Sequence, residues 1–232
     1  MIDTGVIAGV SVSHANASVE EIEAAQTADS TALVSDLLAR DGVEEAFAIQ
    51  TCNRAEAFVA ADDAAVARTA VEKFAPDVRE GAIVHLGHEG SLRHFMRVAA
   101  GLESLVLGED QILGQLSDAA EAARGVGGLR GGVLDDALSK AQQVGKRARA
   151  ETAINEGSLS LGSAAVEFAE RETDLDGASA LVVGAGEMGL LSARALDASP
   201  VSQIVVANRT LRTAEHVASD LRTESTAVEL DA

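Results

Sequence analysis

The feature that most constrains this chain lies near its C-terminal end, where Ala180-Leu181-Val182-Val183 runs into Gly184-Ala185-Gly186-Glu187-Met188-Gly189. An apolar strand that stops on a glycine and restarts as a helix fits few folds. Glycines at the Gly-x-Gly-x-x-Gly spacing permit the tight turn and bring a pyrophosphate close to the backbone at a helix N-terminus. Three glycines alone are a weak signal; the strand before them and the helix after them supply the confirming context. Further on, Gln203 to Ala207 reads as a strand, Thr213 to Arg222 as a helix, and Ala227 to Leu230 starts a third strand. This is the first half of a Rossmann-type nucleotide-binding domain, which in full has about six strands. The expectation is therefore an incomplete domain over 173–232 and the N-terminal part of a longer protein.

The end of the second strand selects the cofactor. An NAD site expects an acid about 20 residues after the glycines, and here the strand ends in Asn208-Arg209-Thr210. Arg209 suits a 2′-phosphate, which favours NADPH; a solvated surface charge is the plain alternative. The expected cofactor-binding set is Gly184, Ala185, Gly186, Glu187, Met188, Gly189, Asn208 and Arg209.

Residues 1–172 read as a separate domain. Ile7 to Val12 is a strand, and Ser18 to Arg40 has helical spacing opened by Ser18 and Glu21 as a capping box. Val43 to Gln50 and Glu56 to Ala60 are strands, Ala64 to Phe74 is a helix stopped by Pro76, and Ala82 to Leu86 is a fourth strand. The order βαββαβ suggests a ferredoxin-like sandwich. From Gly90 to Arg171 the pattern is helical, with glycine-rich breaks at Gly125 to Gly128 and Gly131-Gly132. The fold class expected is α/β: a ferredoxin-like catalytic subdomain plus a helical segment, then a truncated Rossmann-type domain.

The tight connection between strands two and three holds Cys52, the one cysteine among 232 residues. A lone cysteine is most often a small buried hydrophobe. Its place at a strand end, between Thr51 and Asn53 and near the permanent cation of Arg54, favours a nucleophile instead, since an adjacent cation lowers the thiol pKa. A third stretch carries His94 on a helix, then a glycine-bounded turn with Glu109 and Gln111, then a helix with Gln115. Such polar groups suit the ammonium and carboxylate of an amino acid, although a single helical histidine is usually structural.

Composition bounds the setting. One cysteine cannot form an internal disulfide, no apolar run reaches membrane-spanning length, and Met1 to Thr4 lacks a basic leader, so the expectation is a cytoplasmic protein. No metal site is expected. Acidic residues outnumber basic ones 37 to 18, for a net charge of −19, and the lysines are Lys73, Lys140 and Lys146. Scattered acids with few lysines and small apolar side chains fit a very salty cytoplasm, where the Debye length shrinks to about 3 Å and self-repulsion is screened. An ordinary acidic protein is the alternative. The same charge argues against a nucleic-acid partner at low salt.

Taken together, Thr51-Cys52-Asn53-Arg54-x-Glu56, the run from His94 through Gln115, Ser13-His14 near the N-terminus, and Gly184 to Gly189 resemble the glutamyl-tRNA reductase family in the right order along nearly the whole chain. That resemblance implies NADPH-dependent reduction of glutamyl-tRNA to glutamate-1-semialdehyde, the first step of five-carbon tetrapyrrole synthesis. It implies Cys52 as the nucleophile that forms a thioester and His94 as a residue important for activity. Thr51, Asn53, Arg54, Ser104, Glu109, Asp110, Gln111 and Gln115 would flank the substrate. It also implies a homodimer built through a C-terminal domain beyond this chain, and an aminomutase that receives the aldehyde. Two alternatives stand beside it. A shikimate-type NADP-linked dehydrogenase would share the Gly-Ala-Gly turn and the Asn-Arg-Thr strand end but needs no thiol. A non-catalytic nucleotide-binding module would leave Glu109 to Gln115 without a purpose.

Overall fold

The computed structural model describes residues 5–154 and 161–230, and the chain divides into two compact units, Met1–Glu156 and Gly157–Ala232. In the first unit the strands are β1 (Val6–Ser13), β2 (Val43–Thr51), β3 (Arg54–Ala61) and β4 (Ile83–Leu86). They form one antiparallel sheet in the order β2-β3-β1-β4. β3 lies between β2 and β1, and all eight of its residues are buried. That explains its run of Ala, Phe and Val: a strand covered on both faces has no solvent side to leave polar. Phe47, Phe58 and Phe95 stack around the centre, with ring centroids 4.4–6.3 Å apart.

The crossover after β1 differs from the single helix expected over 18–40. It holds two helices, α1 (Val19–Ala25) and α2 (Ser30–Leu38). Ser18 and Glu21 do form the reciprocal capping box, a feature worth about 1 kcal/mol. The break comes from Asp29, whose carboxylate accepts the N–H groups of Thr31 and Ala32 and so starts a new helix. Between β3 and β4 runs α3 (Ala64–Val71), capped in the same way by Asp63. Its end falls three residues short of Phe74, before Ala75, which has φ 54°.

Three helices complete the unit: α4 (His88–Ala99), α5 (Gln111–Gly125) and α6 (Val133–Glu151). The glycine-rich breaks lie where expected, between α5 and α6. Gly132 offers α6 no side-chain cap. Glu45, buried at the irregularity in β2, takes that role from a distance: its carboxylate accepts the N–H groups of Arg130, Gly132, Leu134 and Asp135.

The second unit begins with α7 (Leu161–Glu172), which packs closely on α8 (Glu187–Asp197): a Cβ on Gly162 would meet the Leu191 backbone at 2.5 Å. α7 therefore falls with this unit, whereas the sequence boundary at 172/173 had placed it with the first. The helical reading across residues 155–160 lies outside the described residues. Strands β5 (Ser179–Val183), β6 (Gln203–Asn208) and β7 (Glu224–Glu229) pair in parallel in that order, with α8 and α9 (Leu211–Ser219) as crossovers. Ile204 and Val206, fully buried, centre its core.

Candidate active site

Cys52 and Asn53 are the two-residue turn between β2 and β3, which pair out to Thr51 and Arg54. Neighbouring chain holds the turn on two sides. The amide of Gln26 donates to the Thr51 carbonyl at 2.7 Å, and the N–H of His14 donates to the Asn53 carbonyl at 3.1 Å. Within the turn, the Asn53 N–H donates to the Thr51 hydroxyl at 3.2 Å. Cys52 itself is exposed and in no disulfide. The fold therefore presents a thiol on a rigid hairpin tip.

Arg54, the first residue after the turn, is 1% exposed, so its guanidinium is buried. Nη1 donates to Glu56 Oε1 at 3.1 Å and Nη2 to the carbonyl of Glu103. Its charge is thus balanced by a carboxylate as well as lying close in sequence to the thiol. Nε is buried without a partner.

Glu56 is the centre of this cluster. Its Oε1 accepts from the Ser11 hydroxyl at 2.8 Å and from Arg54, and it lies 2.9 Å from Nε2 of His94. Burial by itself pushes the Glu56 carboxyl up. The charge and hydrogen bond of His94, the charge of Arg54 and the Ser11 hydroxyl together outweigh it and hold the carboxyl down at about 2. These partners favour the ionised form of Glu56. His94, on α4, is mostly buried, with its ring 6.1 Å from that of Phe58.

The segment after α4 supplies the rest. Gly101 and Gly108 both have positive φ, and the Gly108 N–H donates to the Gly101 carbonyl at 3.0 Å. A Cβ on Gly101 would come within 2.9 Å of Gly108 Cα, so the neck of this loop closes only with glycine. Inside it, the Ser104 hydroxyl is buried without a partner, next to the Glu103 carbonyl that Arg54 holds. Glu109 is 9% exposed. Asp110 turns away to Arg149, at 2.8 Å, and lines a cavity of about 340 Å³ with Gln142, Lys146 and Arg149. Gln111 was expected in the turn; it is instead the first residue of α5. Gln111 and Gln115 are both half-buried on that helix, one turn apart.

The first unit therefore joins Arg54 and His94 through one buried carboxylate, and Arg54 carries the link on to the Glu103 carbonyl. Three participants went unassigned in the sequence reading. Glu56 had a usable signal, since residues two apart on a strand share a face and would pair a carboxylate with Arg54. Ser11 and Arg149 had none. Arg149 lies on the last turn of α6 and donates to the carbonyls of Ala99, Gly145 and Glu109. It ties together both ends of the loop that carries Ser104.

In the second unit Gly184 has φ 97°, and a Cβ on Gly189 would meet the Gly184 carbonyl oxygen at 1.8 Å. The turn is thus restricted to glycine at both positions. Gly186 caps α8 without a side-chain bond, and nothing lies within 4 Å of a Cβ built at Gly184 or Gly186. Ala185 is buried and Met188 is 38% exposed; Glu187 opens the helix, and its side chain lies outside the described residues. Asn208 braces the turn: Oδ1 accepts the Ala185 N–H at 3.2 Å, and Nδ2 donates to the Thr210 carbonyl. Arg209 is exposed at the strand end and makes no ion pair among the described residues. A helix start with glycine clearance and an exposed arginine at the neighbouring strand end fit a phosphate-bearing nucleotide.

Among the described residues no helix is long and apolar enough to cross a membrane, and no cluster of side chains suits a metal ion.

Residues 10–152 match the family model described as glutamyl-tRNAGlu reductase, N-terminal domain, and residues 167–232 match that described as shikimate / quinate 5-dehydrogenase. A protein named glutamyl-tRNA reductase from Haloquadratum walsbyi is 56% identical over 230 residues, covering 99% of this chain and 50% of that protein. One of the same name from Methanosarcina barkeri is 43% identical over 220 residues, covering 93% of this chain and 47% of the other. The solved glutamyl-tRNA reductase from Methanopyrus kandleri superposes with a TM-score of 0.65 at 37% identity, covering 98% of this chain and 54% of that one. The chain spans about half the length of the curated relatives it matches. The haloarchaeal relatives support the salt-adapted reading of the net charge, and the second family model shows why the turn and strand end looked shikimate-like.

Proposed function

Since the chain belongs to the glutamyl-tRNA reductase family, we propose that its first unit performs the acyl-transfer half of the reduction of glutamyl-tRNA to glutamate-1-semialdehyde. Its sheet order supports the ferredoxin-like reading of that unit, and the parallel order of β5, β6 and β7 supports the second unit as the first half of an NADP-binding domain. Cys52 Sγ attacks the carbonyl carbon of the aminoacyl ester. The S–C bond forms, the bond from that carbon to the terminal ribose oxygen breaks, and the thiol proton ends on that oxygen as tRNA leaves. A glutamyl thioester remains on Cys52. NADPH, when bound, would supply the hydride that takes this thioester to the aldehyde.

The chain's own groups serve the first step. The hairpin tip exposes the thiol to a bulky substrate. Arg54 Nε and Ser104 Oγ, buried and without protein partners, suit the glutamyl group, with Glu109, Gln111 and Gln115 on the same segment. His94 would exchange a proton during this step. Gly184 to Gly189 and Arg209 would hold the phosphates of NADPH, Arg209 at the 2′-phosphate.

The observation that carries this reading is Cys52 exposed on the hairpin turn that leads directly into Arg54 and Glu56 of the buried Arg54–Glu56–His94 cluster. Incubation with radiolabelled glutamyl-tRNA, without cofactor, should leave hydroxylamine-sensitive label on the chain. Cys52→Ser should remove that thioester label with folding unchanged. Wild-type amounts of hydroxylamine-sensitive label on Cys52→Ser would end the thioester mechanism.

A further inference from the structure

Glu56 meets three donors at a single oxygen. Ser11 Oγ, Arg54 Nη1 and His94 Nε2 all lie within 3.1 Å of Oε1. An ionised carboxylate only accepts hydrogen bonds, so a stable contact with His94 requires the proton to be on Nε2. The imidazole is carried on α4, mostly buried, with the Phe58 ring 6.1 Å from it. Arg54 and Ser11 in turn hold the carboxylate, through strands β3 and β1 paired at Ser11↔Glu56. The order of constraint runs from the sheet to the carboxylate to the imidazole.

We propose that Glu56 is the positioning residue of this site: with Ser11 and Arg54 holding it, it fixes His94 as the Nε2–H tautomer and leaves Nδ1 as the ring atom that exchanges a proton during acyl transfer. The proposal rests on the reading of Cys52 and His94 given above. In the neutral ring Nδ1 carries the lone pair, so it accepts a proton; in the charged ring it returns that proton, while Nε2–H stays on Glu56 throughout. The carboxylate does not itself change protonation. A glutamine at position 56 keeps one acceptor oxygen for the three donors, whereas alanine removes it.

The test is the imidazole nitrogen spectrum of the full chain labelled with 15N-histidine, recorded above the pH at which the rings are charged. The His94 signals are identified by their loss in His94→Gln. The expected pattern for wild type is a protonated Nε2 and an unprotonated Nδ1, retained in Glu56→Gln and mixed between tautomers in Glu56→Ala. Glu56→Gln should keep at least tenfold more acyl transfer to Cys52 than Glu56→Ala. A wild-type His94 protonated on Nδ1 overturns the proposal whether or not any variant folds. So does a folded Glu56→Ala that keeps the wild-type pattern. If the tautomer responds as expected but His94→Gln forms acyl-Cys52 at the wild-type rate, the role given to His94 fails and the structural assignment of its tautomer stands.

Discussion

Replacing Arg149 by Met should loosen the loop that carries Ser104 while preserving most of the side chain's apolar stem. The side chain is 10% exposed, and its guanidinium donates to the Ala99 carbonyl at 2.6 Å, the Glu109 carbonyl at 2.8 Å and the Gly145 carbonyl at 3.1 Å, besides pairing with Asp110. Asp110 is 71% exposed, and a pair so open to solvent contributes about 0–1 kcal/mol. The carbonyls of Ala99 and Glu109 matter more, because hydrogen bonds to a charged group are worth roughly 1.5–3 kcal/mol each and a buried carbonyl left alone adds its desolvation cost. Allowing for overlap between the two, the loss is about 3 kcal/mol. For a chain of this size that corresponds to a fall in Tm of roughly 6–12 °C for the first unit. With no Trp or Tyr in the sequence, far-UV circular dichroism in a urea titration at molar KCl is the suitable readout. Protease cleavage within residues 101–110 should rise in parallel, and acyl transfer to Cys52 should fall. An unfolding free energy within about 0.5 kcal/mol of wild type, with unchanged cleavage and transfer, would show that the network around Arg149 carries no weight.

The Glu56 carboxyl, held at about 2 against an ordinary value of 4.5, contributes stability that is fully present above about pH 5 and is lost as pH falls toward 2. The shift corresponds to about 3 kcal/mol; Glu56→Gln should flatten the acid limb of the stability curve, and equal acid slopes in the two proteins would refute it. Arg209→Ala should weaken NADPH binding by roughly ten- to a hundredfold with little effect on NADH, as read by titration of the cofactor's fluorescence; equal weakening of both would remove Arg209 from the 2′-phosphate. With a net charge of −19, the melting temperature should climb from dilute buffer to molar KCl, and a flat or falling profile would count against salt adaptation.

The sequence determined the features that depend on local spacing. The glycine turn after β5 was legible because Gly184 and Gly189 meet backbone limits no other residue satisfies there. The capping box at Ser18, the hairpin tip at Cys52 and the breaks between α5 and α6 were legible for the same kind of reason: each is set by residues within a few positions of one another. Asp29 could have been read in that way too, and the single helix expected over 18–40 overlooked it as a cap. Tertiary structure decided what joins distant segments. Glu45 caps a helix that starts at Val133, Arg149 closes a loop that begins at Gly101, and α7 packs on α8 in the second unit. Above all, Glu56 gathers Ser11, Arg54 and His94 from two strands and a helix. No local propensity selects such contacts. Burial makes an unpaired charge costly, so the fold must bring each buried carboxylate its partners from wherever along the chain they lie.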